Sequence, residues 1–213
     1  MNTFQNDKTR DRFYQNMTPE QKSLFHSIKE NIFTFCEAKA GTGKTATSVA
    51  ACLDLYANKE VDRIIYIQKV SQRFLQNGLL PGTIEEKTEN LFLPFHDAMA
   101  KLGYKIADYG LLIAQGKIVL TTDSTLRGVN FERAAIIVDE GENCDTETLK
   151  LIFTRCHDNC HVVLLGDRLQ KDNKGSRQED FVRYGEYMSA HIGKTVYLTK
   201  NFRGKFSRLA EDF

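Results

Sequence analysis

A short glycine-rich segment carries the residue types that bind phosphate. Residues 38–45 read AKAGTGKT and end in the pair Lys44 and Thr45. Glycine adopts backbone angles that point successive N–H groups at one anion, and a lysine adds positive charge. This spacing is typical of a P-loop, whose lysine contacts the β- and γ-phosphates of a nucleotide and whose hydroxyl binds Mg²⁺. We therefore expect ATP and Mg²⁺ to bind here.

The flanking sequence supports this interpretation. An apolar run at residues 32–36 precedes the segment, and a helical pattern over residues 46–57 follows it. Strand, glycine loop and helix in this order place phosphates at a helix N-terminus, and a chance glycine-rich turn would lack that order. Ala38 replaces the usual first glycine, which is tolerated where φ is negative. The residues expected to contact the nucleotide are Ala40, Gly41, Thr42, Gly43, Lys44, Thr45 and Ala46.

Two neighbouring acids form the second chemical motif. Residues 134–140 read AAIIVDE, so Asp139 and Glu140 stand at the end of a buried strand. In open α/β sheets the carboxyl ends of the strands form the ligand edge. Nucleotide hydrolysis needs one carboxylate to hold the Mg²⁺ shell and another to orient or deprotonate the attacking water. We assign the first role to Asp139 and the second to Glu140.

Polar residues also follow two later strands of the predicted sheet. The apolar residues 161–165 lead into Gly-Asp-Arg-Leu-Gln, in which Asp167 is suited to supporting the metal shell and Gln170 to sensing the γ-phosphate. A simple turn is the alternative for this segment. Residues 194–199 lead to Arg203, which either stabilises charge on the transferred phosphoryl group or is an ordinary surface arginine. The residues alone leave both alternatives open.

A helix start near the N-terminus offers a contact to the base of the nucleotide. Thr18 suits the N-cap, Pro19 the first helical position and Gln21 the third position of a capping box. The amide of the same glutamine carries a donor and an acceptor that match the edge of adenine. The residues alone favour neither role over the other.

The elements around these motifs predict an α/β fold. Short apolar runs alternate with segments of helical periodicity, which is typical of a mainly parallel sheet with helices on both faces. We place a single P-loop NTPase domain at residues 17–213 and interpret residues 1–16 as a loose polar arm and residues 168–180 as an exposed loop. The predicted helices after the first are residues 46–57, 85–102, 106–115 and 146–156.

Composition limits the class of protein. The 213 residues are 41% hydrophobic and 27% charged, which suits one domain with a sizeable core. No run is long and apolar enough to span a membrane, and the polar N-terminus lacks the apolar stretch of a secretory signal. We expect a cytoplasmic location and reduced thiols at the five cysteines. Residues 156–161, CHDNCH, hold four potential zinc ligands, but their crowding does not fit two separated ligand pairs.

From about residue 18 onward the chain resembles the PhoH-like family of P-loop ATPases. The most specific stretch is GLLPGTIEEK at residues 78–87, continued by PFHDA at residues 94–98. Residues 126–128 and 154–155 are similar to the family's M-R-G and T-R segments. The resemblance implies a RecA-like fold, use of ATP with Mg²⁺, and a ring-like homo-oligomer.

The family core in turn resembles the first motor domain of superfamily 1 helicases. Residues 18–21 are similar to their adenine-reading glutamine motif, residues 166–170 to GDxxQ and residues 201–203 to N-Y-R. This resemblance favours nucleotide contacts for the glutamines and the arginine of these motifs over the structural alternatives. One departure stands out, because Glu142 replaces the glutamine of the family's D-E-A-Q-N and is expected to alter coupling to the γ-phosphate or to nucleic acid. Residues 68–70 also depart from the family's R-P-x-V.

These observations predict hydrolysis of ATP by in-line attack of water, coupled to single-stranded RNA or DNA as in a helicase-like ATPase. The alternatives are a nucleotide switch with little turnover and a small-molecule kinase. The acid pair favours hydrolysis, because a kinase must keep water away from the phosphate. The predicted catalytic residues are Lys44, Glu140, Gln170 and Arg203, and the predicted Mg²⁺ ligands are Thr45 and Asp139.

The expected assembly follows from the same comparison. A superfamily 1 helicase closes its nucleotide site between two motor domains, and we expect no second domain after Arg203. A neighbouring subunit would then complete the site, in a ring-like homo-oligomer such as a hexamer. Arg127 or Arg155 would act on that neighbour's nucleotide or contact nucleic acid.

Overall fold

One parallel sheet organises the described part of the chain. The computed structural model describes residues 8–69, 90–126, 128–169, 178–202, 204 and 206. The strands are β1 Phe33–Ala38, β2 Arg63–Gln68, β3 Ile118–Thr122, β4 Ala134–Asp139, β5 His161–Gly166 and β6 Gly193–Leu198. They lie in the order β3-β2-β4-β5-β1-β6, and every neighbouring pair is parallel. The predicted α/β class with a parallel sheet is confirmed.

Helices surround the sheet within these same residues. They are α1 Lys8–Gln15, α2 Pro19–Glu30, α3 Lys44–Ala57, α4 Leu93–Lys101, α5 Ile106–Ala114, α6 Thr146–Phe153 and α7 Gln178–Ile192, with 3₁₀ turns at Asp123–Thr125 and Gly141–Asn143. The predicted N-cap of α2 is confirmed, since the Thr18 hydroxyl accepts a hydrogen bond from the Gln21 N–H at 3.2 Å. Asp145 caps α6 in the same way, accepting from the Thr148 N–H at 2.8 Å. None of these helices is long and apolar enough to cross a lipid bilayer.

Side chains of the strands alternate between two buried layers. In β2, Ile64 and Tyr66 belong to the first layer, and Ile65 and Ile67 belong to the second. Helices α2, α3, α4 and α5 pack on the first layer, whereas α6 and α7 pack on the second. The period of two in a strand makes this division, because successive side chains point to opposite faces. Helices therefore cover both faces of the sheet, as predicted.

The strand order brings the two chemical motifs to one edge of the sheet. β1 precedes the P-loop, β4 ends at Asp139, and β5 lies between them. All strands run parallel, so their carboxyl ends meet at the same edge. Residues that follow β1, β4 and β5 are consequently neighbours, although they are far apart in sequence.

The N-terminal part of the described chain differs from the prediction. Residues 8–15 form α1, so the expected loose arm is wrong for this stretch. Arg10 lies 3.3 Å from Asp54 of α3, and Phe13 and Tyr14 pack against the first core layer. The polar composition of the stretch concealed these two consecutive aromatic residues. The boundary of the domain at residue 17 stays a prediction.

Two later predictions need adjustment. α4 begins at Leu93, whereas the predicted helix begins at residue 85, and residues 85–89 lie outside the described part of the chain. α7 was not predicted, and residues 178–180 belong to it rather than to the expected loop. The remaining predicted helices and strands agree with the structure to within three residues at each end.

The contact between α7 and β1 gives a test of this packing. A Cβ atom on Gly185 would lie 2.4 Å from the buried ring of Phe35. We expect Gly185→Ala to lower the free energy of unfolding by about 1–3 kcal/mol, because overpacking outweighs the helix propensity of alanine. Gly110→Ala in α5, where the nearest atom lies at 3.9 Å, should instead raise it by up to about 1 kcal/mol. Urea denaturation measures the free energy of unfolding of both variants. Equal stabilisation by the two substitutions would contradict the close packing of α7 on β1.

Candidate nucleotide site

The glycine-rich segment forms a tight loop between β1 and α3. Gly41 and Gly43 have φ angles of 76° and 81°, in the left-handed region that favours glycine. Space imposes the same choice at residue 43, because a Cβ atom there would lie 2.7 Å from Nε2 of Gln21. α3 begins at Lys44, so the loop ends at a helix N-terminus, where an anion is stabilised.

Two carbonyl groups of the loop are held by residues from other elements. The N–H of Phe202 donates to the Gly41 oxygen at 2.9 Å, and Nε2 of Gln21 donates to the Thr42 oxygen at 2.9 Å. A carbonyl oxygen carries partial negative charge, so it would repel a phosphate group that it faced. These bonds engage the two carbonyls with protein donors, and the loop N–H groups other than that of Ala40 are the expected partners for an anion.

Asp167, which follows β5, holds the loop from another side. Its Oδ2 accepts from the Ala40 N–H at 3.1 Å, its Oδ1 accepts from the Leu169 N–H at 3.0 Å, and the residue is buried. Both carboxylate oxygens therefore bind backbone. The side chain supports the P-loop, and the suggested role of Asp167 in the metal shell stays a prediction.

Gln21 fulfils its structural role and keeps hydrogen-bonding capacity. Its Oε1 accepts from the Thr18 N–H at 3.0 Å, which completes the capping box of α2. Its Nε2 uses one proton for the Thr42 carbonyl, and an amide has a second proton and a second lone pair. The side chain also lines the cleft described below. The capping box is confirmed, and the contact with adenine stays a prediction.

Thr45 and Asp139, the predicted magnesium ligands, meet at the edge of the sheet. The Thr45 hydroxyl donates to Oδ2 of Asp139 at 2.9 Å, although the residues lie 94 positions apart. Oδ1 of Asp139 accepts from the Glu140 N–H at 3.0 Å, and Asp139 is buried. A hydroxyl and a carboxylate oxygen fit Mg²⁺, which prefers hard oxygen ligands and retains water and phosphate oxygens in its shell.

Tyr66 of β2 supports this pair from below. Its hydroxyl lies 2.8 Å from Oδ2 of Asp139, and its ring is fully buried. Burial, followed by the negative charge of Asp139, raises the pKa of Tyr66 well above its usual value. The hydroxyl therefore stays protonated, and its one proton is available to this carboxylate and to Oε1 of Gln68, which lies 2.9 Å away.

Lys44 and Glu140, the two predicted catalytic residues that the structure describes, line the same cleft as Thr45 and Asp139. Nζ of Lys44 donates to the Ala38 carbonyl at 3.3 Å, so the lysine bends back over its own loop. Glu140 has a φ angle of 56°, a left-handed value that a residue with a side chain adopts at a cost of order 1 kcal/mol. Nδ2 of Asn143 donates to the Glu140 carboxylate at 3.4 Å.

A cleft of about 560 Å³ joins these groups. The P-loop, Asp139 and Glu140 line it together with Gln21 and Phe202. Sequence reasoning missed the residues that form its side walls. They are Phe13 in α1, Asn16 and Met17 between α1 and α2, and Pro94, Asp97, Ala98 and Lys101 on α4. The wall residues on α4 fall in and beside the PFHDA stretch. That stretch was therefore the sequence signal that could have indicated this wall of the cleft.

Several predicted residues do not enter this geometry. Gln170, Arg203 and Arg127 lie outside the described residues, as does the GLLPGTIEEK stretch. Arg155 follows the C-terminal end of α6, beside the isolated bridge between Phe131 and Cys156, and so lies away from the carboxyl edge of its own sheet.

The candidate zinc ligands after α6 do not converge on one point. Sγ of Cys160 donates to the Phe131 carbonyl at 3.3 Å, whereas the ring of His161 contacts the Ile28 carbonyl at 3.0 Å. Sγ of Cys156 lies on the Ile152 carbonyl within α6. Each of these three side chains thus has a separate backbone partner, and no cluster of three or more potential metal ligands forms among the described residues.

Comparison with known proteins decides which kind of P-loop protein this is. The family model described as "PhoH-like protein" matches residues 14–201. The chain belongs to the PhoH family. It is 35% identical to Protein PhoH of Escherichia coli K12 over 153 residues, which are 71% of this chain and 43% of that protein. It is 31% identical to the PhoH-like protein of Synechocystis over 157 residues, 73% of this chain and 47% of that one. The chain therefore spans less than half the length of these PhoH relatives.

Solved structures share the fold of this PhoH chain at low sequence identity. The large terminase of a thermophilic bacteriophage aligns with a TM-score of 0.56 at 13% identity, over 93% of this chain and 50% of that one. The DUF1998 helicase MrfA bound to DNA aligns with a TM-score of 0.52 at 13% identity, over 92% and 28%. These similarities concern the fold alone and agree with a RecA-like P-loop domain.

The contact from Tyr66 to Asp139 gives a direct test of the metal pair. Tyr66→Phe keeps the buried ring and removes the hydroxyl that orients the carboxylate. We expect the Mg²⁺ concentration for half-maximal ATP binding to rise about 10-fold or more, as for other groups that orient metal ligands. Tyr187→Phe, at an exposed ring, is the control. Binding of a fluorescent ATP analogue measures the effect, and an unchanged Mg²⁺ dependence would exclude this role.

Proposed function

We propose that this PhoH chain binds ATP with Mg²⁺ and hydrolyses it. The observation that carries the proposal is the 2.9 Å hydrogen bond between Thr45 and Asp139, with Glu140 beside it in the cleft of the P-loop. A phosphate-binding loop, two oxygen ligands for a hard cation and a second carboxylate are the parts that in-line phosphoryl transfer to water requires.

Each residue has a defined task in this proposal. The N–H groups of the loop and the Lys44 ammonium bind the phosphates, and Thr45 and Asp139 hold Mg²⁺. The metal, when bound, neutralises charge that develops on the phosphate oxygens. Glu140 orients the attacking water and accepts its proton. Gln170 and Arg203 are proposed to sense the γ-phosphate and to stabilise the transferred group, and Gln21 to contact adenine.

Coupling to single-stranded RNA or DNA is the finer part of the proposal. Its support is the PhoH family together with a fold shared with a helicase that was solved bound to DNA. At the sheet edge Lys69 lies 2.6 Å from Asp123, so its charge is paired and does not add to this support. A nucleotide switch with little turnover is therefore the second candidate. ATP as the ligand agrees with the expected cytoplasmic location.

Assays of ATP turnover test both parts of the proposal. We expect Lys44→Ala to weaken ATP binding at least about 10-fold, and Glu140→Gln to keep binding while turnover falls about 10²- to 10⁴-fold. Lys150→Ala, at an exposed position of α6, is the control.

Gln21→Ala should reduce the preference for ATP over GTP, and Gln170→Ala and Arg203→Ala should slow turnover.

The same assay separates the two candidates. Stimulation of phosphate release by single-stranded RNA or DNA, lost in Glu140→Gln, supports the nucleic-acid-coupled ATPase. ATP binding without turnover, unchanged by either nucleic acid, would contradict hydrolysis and favour the switch.

A homo-oligomer is also proposed, with contacts between opposite edges of the sheet. Ile106 and Leu111 on α5 are both 66% exposed beside the β3 edge, and Ile192 and Tyr197 are 42% and 52% exposed at the β6 edge. Two different apolar surfaces on opposite sides suit a head-to-tail contact, which forms a ring when the rotation between subunits closes.

The head-to-tail contact makes a specific prediction about mixtures of variants. Leu111→Glu and Tyr197→Glu each leave one of the two surfaces intact, so each alone should be monomeric with ATP and Mg²⁺ present. An equimolar mixture should form dimers and nothing larger, because only one intact pair of surfaces can meet. Light scattering measures the masses, and a monomeric wild type would contradict the assembly.

A further inference from the structure

Glu142 is buried next to the acid pair but has no task in the proposed reaction. It lies in the 3₁₀ turn Gly141–Asn143 and is only 4% exposed. Its Oε2 accepts from the Asp167 N–H at 3.2 Å, and its carboxyl group lies within hydrogen-bonding reach of the carboxylate of Glu140. Two carboxyl groups in direct contact need a proton between them, since two carboxylates would repel each other.

The surrounding residues form a pocket built for this side chain. A Cβ atom on Gly166 would lie 2.5 Å from Oε2 of Glu142 and 2.4 Å from the ring of Phe181. Glycine at residue 166 is therefore required for Glu142 to fit beneath Phe181, which is buried. The pocket buries the carboxyl group between the end of β5 and Glu140.

The charges that face Glu142 favour its neutral form. Burial, followed by the negative charge of Glu140, raises the pKa of Glu142 to about 9, and the ammonium of Lys44 opposes this shift. β5 presents the N–H of Asp167, whose own carboxylate is bound to the P-loop, and α7 presents the uncharged ring of Phe181. Near neutral pH the group is a carboxylic acid, which donates one hydrogen bond and accepts another.

We propose that Glu142 is a positioning residue whose neutral carboxyl donates its proton to Glu140 and holds that carboxylate ready to orient the attacking water. The inference rests on the proposed ATP hydrolysis. It also links the nucleotide to the base, because Glu142 binds the N–H of Asp167 and the carboxylate of Asp167 binds Ala40 of the P-loop. A shift of the loop on binding phosphate is thereby transmitted to Glu140 through these two hydrogen bonds and the proposed one between Glu142 and Glu140.

Loss of the proton removes both effects of Glu142. Above its pKa, a buried carboxylate faces the carboxylate of Glu140, the donor is gone and the two charges repel each other. Hydrolysis should therefore decline on the alkaline side, where Glu142 ionises. Stability should decline with pH as well, because the folded state keeps a proton that the unfolded chain releases near the ordinary glutamate pKa of 4.5. This loss runs from about pH 4.5 to about pH 9 and is complete above it.

The test compares the pH profiles of the wild type and of Glu142→Gln. Glutamine has nearly the same shape, donates to Glu140 and accepts from Asp167, and does not titrate. We expect kcat of the wild type to fall about tenfold between pH 8 and pH 10, and kcat of Glu142→Gln to stay level over that range at a similar value near pH 7. Glu147→Gln, the same change at an exposed position of α6, should keep the wild-type profile.

A second measurement uses folding rather than activity. The thermal midpoint of the wild type should fall relative to that of Glu142→Gln as pH rises from 5 to 9, because only the wild type must keep an unfavourable proton. Glu142→Ala should lower kcat with little change in KM.

Three outcomes would overturn the inference, and they differ in what else they affect. An alkaline decline that is the same in the wild type and Glu142→Gln, or a midpoint difference that does not change with pH, would exclude Glu142 as the titrating donor while hydrolysis stands. A wild type that binds ATP but hydrolyses none at any pH would overturn the proposed function, and the positioning role with it.

Discussion

The site depends on one constraint, which is that the peptide groups of the P-loop must present N–H groups to the ligand while their carbonyls bind elsewhere. The carbonyls of Gly41 and Thr42 accept hydrogen bonds from Phe202 and Gln21. The N–H of Ala40 donates to Asp167. These partners come from the segment after β6, from α2 and from the segment after β5. A buried peptide group without a partner costs about 1–3 kcal/mol, so the loop keeps this shape only inside the complete fold.

The order of the strands supplies these partners. β5 lies between β1 and β4, and therefore places Asp167 beside the loop and Glu142 beneath β5. β6 lies on the other side of β1, and the chain after it reaches the Gly41 carbonyl. The P-loop thus follows an interior strand, β1, and is held from both flanks. The same strand order brings the hydroxyl of Thr45, near the start of α3, into contact with the carboxylate of Asp139, at the end of β4.

Local sequence patterns were sufficient to predict the elements that depend on interactions between residues close in sequence. The glycine loop, the capping box at Thr18 and Gln21, and the buried strand ending at Asp139 follow from residue types and spacing, and each is present. Partners distant in sequence could not be read in this way. The sequence around Asp167 indicated the end of a strand. It did not indicate that the carboxylate would accept a hydrogen bond from Ala40, 127 residues away. α1 and the wall of α4 were missed because they join the cleft only through tertiary packing.

The central claim is that Thr45 and Asp139 hold Mg²⁺ for ATP hydrolysis at this loop. Phosphate release from ATP, measured against Mg²⁺ concentration for the wild type and Asp139→Asn, tests it most directly. We predict that the wild type requires Mg²⁺ and that Asp139→Asn, which loses the charged ligand, has little turnover at any Mg²⁺ concentration. Turnover that needs no Mg²⁺, or that is unchanged in Asp139→Asn, would contradict this account of the site.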